Sequence, residues 1–165
     1  MRTSKAAWGA GIFLLCVPGV VAGGIPLWIV ASGNGPQWEG HWASTTLGWT
    51  CIAVGSVGLL DSFVRFVTDG RGTPAPTAPT ETLVVRGLYR WVRNPMYVAV
   101  LLVILGQALV FAQPWVLIYG GAVAIAVSSF VRWYEEPTLT RRFGEQYTAY
   151  RRAVPAWWPR RPGGP

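Results

Sequence analysis

Glutamate, arginine and tyrosine side chains are the groups in this sequence that are able to do chemistry. Histidine and cysteine are scarce: the chain has one histidine, His41, and two cysteines, Cys16 and Cys51, within long apolar stretches. A Ser-His-Asp site, a Cys-His site and a histidine-ligated metal site therefore have no support, and no metal ion is expected. The remaining side chains suit a reaction in which ligands are held and oriented, such as in-line transfer of a group between two bound partners.

An acidic pair, Glu135-Glu136, follows the last apolar stretch and lies among arginines, with Arg132 close before it. Further upstream, Asn94-Pro95 begins another apolar stretch, and Asn is a favoured N-cap while Pro is a favoured first helical residue. Free N–H groups at that helix N-terminus attract an anionic group, assisted by the neighbouring Arg93. Taken alone, the acidic pair is better explained as a salt-bridging boundary and the helix N-terminus as a structural cap.

The elements that must position these groups are four stretches without a charged residue, 8–32, 43–60, 95–112 and 114–131. Each has at least 18 residues, which is the length that indicates a transmembrane helix. Only 13% of the chain is charged, about half the share found in soluble domains. The predicted fold is therefore an all-α integral membrane protein with four transmembrane helices that crosses the bilayer several times.

All 14 Lys and Arg residues lie on one side of the predicted membrane. They fall before the first helix, within 65–93 and from Arg132 onward, whereas the connections 33–42 and Gln113 contain none. This asymmetry predicts that both termini are cytoplasmic. The formal charge of +7 then describes one face, which suits an anionic leaflet or ligand. Nucleic acid is not expected as a partner, because topology already explains the basic residues.

Three regions follow from this pattern: an N-terminal two-helix membrane hairpin (1–67), a flexible linker rich in Pro, Gly and Thr (68–80) and a core (81–165). Within the hairpin, Gly19 and Gly23 have the small-xxx-small spacing that lets helices approach closely. Asp61 and Arg65 are spaced for an ion pair along the second helix.

A periodic set of apolar residues after the fourth helix predicts one face of a cytoplasmic amphipathic helix. Its members recur at spacings of four, four, three and four: Leu139, Phe143, Tyr147, Tyr150 and Val154. The simplest interpretation of this face is a helix anchored on the membrane surface.

Three sequence blocks in the C-terminal half occur in a fixed order: GLYRWVRNPMY at 87–97, EEPTL at 135–139 and FGEQYTAYRRAVP at 143–155. Together they resemble the isoprenylcysteine carboxyl methyltransferase family, whose wider superfamily includes membrane phospholipid N-methyltransferases. The resemblance covers roughly 81–159. It implies S-adenosylmethionine bound in a cytoplasmic-side pocket, formed by the segment 81–97 and the C-terminal amphipathic helix. It also implies a lipid-like methyl acceptor that arrives from the membrane.

The resemblance and the start of the third helix assign cofactor contacts to ten residues: Glu81, Thr82, Leu83, Val84, Tyr89, Arg93, Asn94, Pro95, Met96 and Tyr97. The resemblance implies catalytic roles for Arg132, Glu135 and Glu136. The family usually has His at Asn94, Gly at Ala99 and, in many members, Arg at Ala156. A role that needs a titrating imidazole is therefore lost, whereas hydrogen bonding by Asn94 is kept.

The resulting hypothesis is an integral membrane methyltransferase that uses S-adenosylmethionine and a membrane-associated acceptor. A carboxylate or thiolate acceptor needs no base, whereas an amine would lose a proton, for instance to Glu135 or Glu136. Within the enzyme class the alternatives are a phospholipid N-methyltransferase and a small-molecule thiol S-methyltransferase. The alternative from another class is a non-catalytic membrane protein that binds lipid or a partner through its basic face. The acceptor and the oligomeric state remain open.

Overall fold

The computed structural model describes residues 18–33, 35–69 and 82–160, and all regular structure within them is helical. The predicted all-α class is therefore confirmed for this part of the chain. The α-helices are α1 (Ile25–Ala31), α2 (Trp42–Thr68), α3 (Pro95–Val110), α4 (Pro114–Phe130), α5 (Glu136–Phe143) and α6 (Glu145–Ala153). Three irregular helical turns accompany them: π-turns at Val20–Gly24 and Val131–Glu135 and a 3₁₀ turn at Gly87–Arg90.

Two helical segments in the described chain are long and apolar enough to cross a membrane: Trp42–Arg65, and Pro114–Phe143, which runs from α4 through α5. Two further apolar segments, Val20–Ala31 and Pro95–Val110, are shorter. All four overlap the charge-free stretches of the sequence, and the two longer segments extend past them into charged residues. Large apolar side chains on α2 and α4 are exposed, such as Val57 at 67% and Ile125 at 72%, as expected for helix faces that contact lipid.

Glycines allow α2 to pack closely against α3. A Cβ atom added at either Gly48 or Gly55 would lie 2.8 Å from a carbonyl oxygen of α3, so only glycine fits at these contacts. The close approach predicted at Gly19 and Gly23 is wrong for Gly23, where an added Cβ meets nothing within 4 Å. The small-residue contacts of the described bundle therefore include positions on the second helix that the spacing argument overlooked.

Side-chain donors on α3 and α4 fasten the N-terminal helical segment to the bundle. Pro26 has no N–H group, so carbonyl groups in the turn before it lose their usual donor. Gln107 of α3 donates to the carbonyl of Ala22, and Tyr119 of α4 donates to that of Val21 at 2.9 Å. These bonds satisfy backbone groups that lipid cannot satisfy.

The buried core lies where the N-terminal segment, α3 and α4 meet. Its members are Ala22, Val100, Ile104, Ala108 and Val116. At the far end of the bundle, the N–H of Trp38 donates to the carbonyl of Ala112 at 3.3 Å. The two connections that lack basic residues therefore lie side by side, at the end opposite to the predicted site.

The predicted single amphipathic helix after α4 is wrong in one respect, because it is divided into α5 and α6. Gly144 separates them with φ 54° and ψ −125°, a left-handed conformation that favours glycine. The predicted apolar face is nevertheless turned inward. Tyr147 and Val154 are buried, and the remaining members are partly buried: Leu139, Phe143 and Tyr150.

The end of α2 carries a ladder of alternating charges. Arg65 places Nε 3.5 Å from Asp61 and Nη1 3.6 Å from Asp69, which confirms the predicted pair and extends it by one turn. Helix α2 includes Thr68, the first residue of the predicted linker, and 70–80 lie outside the described residues. The description resumes at Thr82, whose hydroxyl donates to the carbonyl of Asp69 at 2.6 Å. The division into hairpin, linker and core stays a prediction.

Candidate active site

A small cavity of about 70 Å³ lies where α3 begins and α4 passes into α5. It brings together three separate parts of the chain: the segment before α3, the π-turn after α4 and the helices α5 and α6. The residues that line this cavity are Leu83, Val84, Tyr89, Arg93, Asn94, Val131, Glu135, Glu136, Leu139, Tyr147 and Tyr150.

The two glutamates of the acidic pair have different surroundings. Glu136 accepts a bond of 2.7 Å from Nη1 of Arg93 and lies 3.3 Å from Nη2 of Arg151. The side chains of Glu136 and Arg93 are only 13% and 11% exposed, so this is a nearly buried ion pair. Removing one partner of such a pair leaves a charge without compensation. Glu136 is therefore fixed and neutralised by the protein itself.

Glu135 accepts a hydrogen bond of 3.0 Å from the hydroxyl of Tyr97. It is partly buried, and among the described residues no lysine or arginine forms an ion pair with it. A carboxylate that is removed from water without a cationic partner is costly. The cavity therefore holds a carboxyl group whose charged form a positively charged ligand would stabilise.

Arg93 contributes a second group with unused hydrogen-bonding capacity. Its Nε is buried and has no hydrogen-bond partner among the described residues, although Nη1 bonds Glu136 and lies 3.4 Å from the hydroxyl of Tyr147. Burial raises the pKa of both Tyr147 and Tyr150 above the ordinary value. Their hydroxyls therefore stay protonated at neutral pH and remain donors.

The C-terminal tail, residues 154–160, closes one side of the site by bonding the segment before α3. Backbone N–H groups of Arg93 and Asn94 donate to the carbonyls of Pro155 and Ala156 at 2.8 and 3.3 Å. Asn94 is the N-cap residue of α3 and Pro95 its first residue, as predicted. The predicted side-chain cap is wrong, however, because the amide of Asn94 donates to Ala156 at 3.1 Å instead of bonding α3.

The predicted site residues divide into those that meet at the cavity and those that do not. Leu83, Val84, Tyr89, Arg93, Asn94, Glu135 and Glu136 line it, and Tyr97 reaches it through Glu135. Thr82 is directed to Asp69, and Pro95 and Met96 are buried without lining it. Arg132 is exposed and lines a different cleft. Glu81 lies outside the described residues.

Four lining residues were not named among the predicted site residues, although the C-terminal helix that carries three of them was expected to help form the pocket: Val131, Leu139, Tyr147 and Tyr150. Three of them belong to the periodic apolar face that was interpreted as a membrane anchor. Two are tyrosines, whose hydroxyls need partners when buried, and Tyr150 donates to the carbonyl of Tyr89 at 2.7 Å. The two tyrosines in the apolar face were the feature of the sequence that could have indicated its contribution to the site.

An apolar groove of about 740 Å³ lies on the other face of the 3₁₀ turn. Apolar side chains of α2 and the turn line most of it, and Asp61 and Arg90 supply its charged groups; the remaining lining residues are Ala53, Val54, Val57, Gly58, Gly87, Leu88 and Trp91. Tyr89 belongs to the cavity, whereas its neighbours Leu88 and Arg90 belong to the groove. A single turn of helix therefore separates a polar cavity from an apolar groove.

Comparison with known proteins identifies the family. The family model described as phospholipid methyltransferase matches residues 43–146, which is more than half of the 165 residues. The chain belongs to the phospholipid methyltransferase family. The matched range begins near the start of α2 and ends within α6, so it includes most of the cavity and all of the groove.

Among curated proteins, the protein-S-isoprenylcysteine O-methyltransferases of Homo sapiens and Mus musculus are each 36% identical over 83 residues. The match covers 48% of this chain and 28% of each relative, so it spans less than a third of their length. No solved structure matches. The resemblance seen in the sequence is confirmed at the level of the family.

Proposed function

We propose that this chain is a multi-pass membrane enzyme that transfers a methyl group from S-adenosylmethionine to a membrane-associated acceptor. Family membership supports a methyl donor and a membrane setting. The observation that carries the choice of donor is the cavity, where Glu135 presents a carboxylate without a cationic partner among the described residues.

The groups in the cavity fit one end of such a donor. S-adenosylmethionine supplies, when bound, a methyl group on a positively charged sulfonium, together with an ammonium and a carboxylate. Glu135 offers negative charge to a cation, and the buried Nε of Arg93 offers a hydrogen bond to an anion. The cavity of about 70 Å³ is smaller than typical ligand pockets of about 300–1,000 Å³. It therefore receives only the part of the ligand beside the glutamates.

Each residue has a distinct role in this proposal. Glu135, oriented by Tyr97, attracts the cationic part of the donor, and the rings of Tyr89, Tyr147 and Tyr150 surround it with aromatic surface that also favours cations. Glu136 holds Arg93 in place. Aligning two reactants in this way lowers the activation barrier by on the order of 7 kcal/mol or more. Such a contribution suits a cavity whose lining contains no histidine to act as a general base.

The groove provides a place for the apolar part of the acceptor. Its walls are mainly apolar and include exposed residues of α2 such as Val54 and Val57, which face lipid in the proposed orientation. Its charged end, with Asp61 and Arg90, lies beside the turn that carries Tyr89. An amphiphile seated here has its polar end next to the cavity. The acceptor is therefore proposed to enter from the membrane.

The proposed topology has four membrane crossings with both termini in the cytoplasm. It is supported by the one-sided basic residues, and by the contact between the two connections that lack them. Cysteines introduced at positions 38 and 77 should be labelled from opposite sides of the membrane. Labelling of both from the same side contradicts the topology.

The function is tested by methyl transfer from labelled S-adenosylmethionine to three acceptor classes: prenylcysteine analogues, membrane aminophospholipids and small thiols. The proposal predicts labelled product with a lipid-like acceptor. Activity only with water-soluble thiols favours the S-methyltransferase alternative. Donor binding without transfer to any class contradicts catalysis of these reactions, and the absence of donor binding favours a non-catalytic membrane protein.

A further inference from the structure

A second cleft, the arginine cleft, has a volume of about 480 Å³ and shares only Glu136 with the cavity. It lies among the π-turn after α4 and the helices α5 and α6. Its lining consists of three arginines, one glutamate and two further residues of α5: Arg132, Arg141, Arg151, Glu136, Pro137 and Thr140. Such a composition favours an anionic ligand.

The positive charge of the arginine cleft is not balanced within the described part of the chain. Glu136 is its one carboxylate, and Glu136 is already bonded to Arg93 outside the cleft as well as to Arg151. Arg132 forms no ion pair with the described residues, and Arg141 donates to the hydroxyl of Thr138 at 3.2 Å. At least two guanidinium groups are thus available to an incoming anion.

The position of the arginine cleft relative to the membrane indicates which kind of anion it binds. Arg132 is the first charged residue after the apolar stretch 114–131, so it lies at the boundary of the membrane in the proposed topology. The next two residues, Trp133 and Tyr134, are 75% and 50% exposed. Exposed aromatic residues are typical of the headgroup level of a bilayer. A basic pocket at this level on the cytoplasmic side suits the headgroup of an anionic lipid.

We propose that the arginine cleft binds the phosphodiester headgroup of an anionic phospholipid in the cytoplasmic leaflet. The planar guanidinium groups of Arg132 and Arg141 bind phosphate oxygens, and Arg151 also lines the cleft. Free phosphate has the same chemistry but lacks the acyl chains that hold a lipid at this depth. The inference rests on the proposed membrane orientation and does not require methyl transfer.

The test compares two neighbouring arginines of which only one lines the cleft. Arg141→Gln removes a cleft residue, whereas Arg142→Gln removes the same charge from an exposed residue that lies over the ring of Phe143. Binding of phosphatidylglycerol and of phosphatidylcholine to the full-length, detergent-solubilised protein is measured by native mass spectrometry. Arg141→Gln should weaken phosphatidylglycerol binding about fivefold. Arg142→Gln should leave it nearly unchanged, and phosphatidylcholine should bind weakly to all three proteins.

Three results overturn the proposal. Equal weakening by both variants means that diffuse surface charge, not the cleft, attracts the lipid. Equal binding of both lipids to the unmodified protein means that the headgroup is not recognised. Displacement of phosphatidylglycerol by an equal concentration of inorganic phosphate assigns the site to free oxyanions.

Arg141→Lys, which keeps the charge but loses the planar fork, should bind phosphatidylglycerol more tightly than Arg141→Gln. The lipid-binding measurement contains no methyl donor, so a negative result does not bear on the proposed methyl transfer.

Discussion

Replacing each glutamate of the acidic pair by glutamine separates a structural from a functional carboxylate. Glutamine keeps the shape of the side chain and removes its charge. Glu136→Gln leaves the guanidinium of Arg93, which is only 11% exposed, without its anionic partner. Glu135→Gln still offers an oxygen to the hydroxyl of Tyr97, at present 3.0 Å away. The two variants should therefore differ sharply in stability.

The magnitudes follow from burial. Breaking a fully buried pair costs about 3–5 kcal/mol, and the small exposure of Glu136 and Arg93 places the cost of Glu136→Gln near 3 kcal/mol. Arg151 adds little because its side chain is 55% exposed. A loss of this size lowers Tm by roughly 6–12 °C. Glu135→Gln should cost about 1 kcal/mol or less, since its neutral hydrogen bond survives.

The rate of methyl transfer should show the reverse order, with a larger loss per folded molecule for Glu135→Gln than for Glu136→Gln. A charged hydrogen bond or contact is worth about 1.5–3 kcal/mol, so loss of the Glu135 charge should reduce methyl transfer at least about tenfold per folded molecule. Thermal unfolding and transfer of a labelled methyl group are measured on the same purified, reconstituted proteins. Wild-type turnover by folded Glu135→Gln refutes the role of Glu135. A large loss of stability confined to Glu135→Gln refutes the division of roles.

Four further predictions test contacts within the helical bundle and around the site. Gln107→Leu removes the donor to a carbonyl that proline leaves unpaired, and should lower the free energy of unfolding by about 1–3 kcal/mol. Gln113→Leu should be neutral or stabilising, because both amide atoms of Gln113 are buried without partners among the described residues. Equal losses of stability for Gln107→Leu and Gln113→Leu in thermal unfolding contradict this expectation. Gly87→Ala should weaken donor binding more than Gly144→Ala, since both have φ above +50° but only Gly87 has side-chain atoms of α2 within 3.1 Å of an added Cβ; calorimetry that shows equal donor affinity refutes the comparison. Asn94→Ala should cost about 1 kcal/mol and raise hydrogen exchange in the C-terminal tail, and unchanged exchange contradicts the bond seen here.

The long helices could be predicted from the sequence because each depends on a local property. Uncharged stretches of membrane length gave the positions of α2, α3 and α4, and Asn94-Pro95 gave the first residue of α3. The interruption at Gly144 could not be predicted with the same ease. The apolar spacing continues through it, and glycine also occurs within uninterrupted helices of this chain, such as Gly55.

The location of the candidate site could be predicted from the sequence, but the different contacts of its two glutamates could not. Glu135 and Glu136 are adjacent and chemically identical in the sequence. They differ because α3 brings Tyr97 to one of them while the segment before it brings Arg93 to the other. Such contacts between distant segments depend on how α3 and α4 pack, which local patterns do not specify. The same reason explains why Arg132, one turn before the pair, lines another cleft.

The proposed function requires that the cavity bind the methyl donor through the charge of Glu135. Isothermal titration of S-adenosylmethionine into the reconstituted full-length protein and its Glu135→Gln variant measures this dependence. We expect saturable binding to the unmodified protein, and at least about tenfold weaker binding to the variant. Equal affinity for the two proteins, with both folded, rules out this role of Glu135.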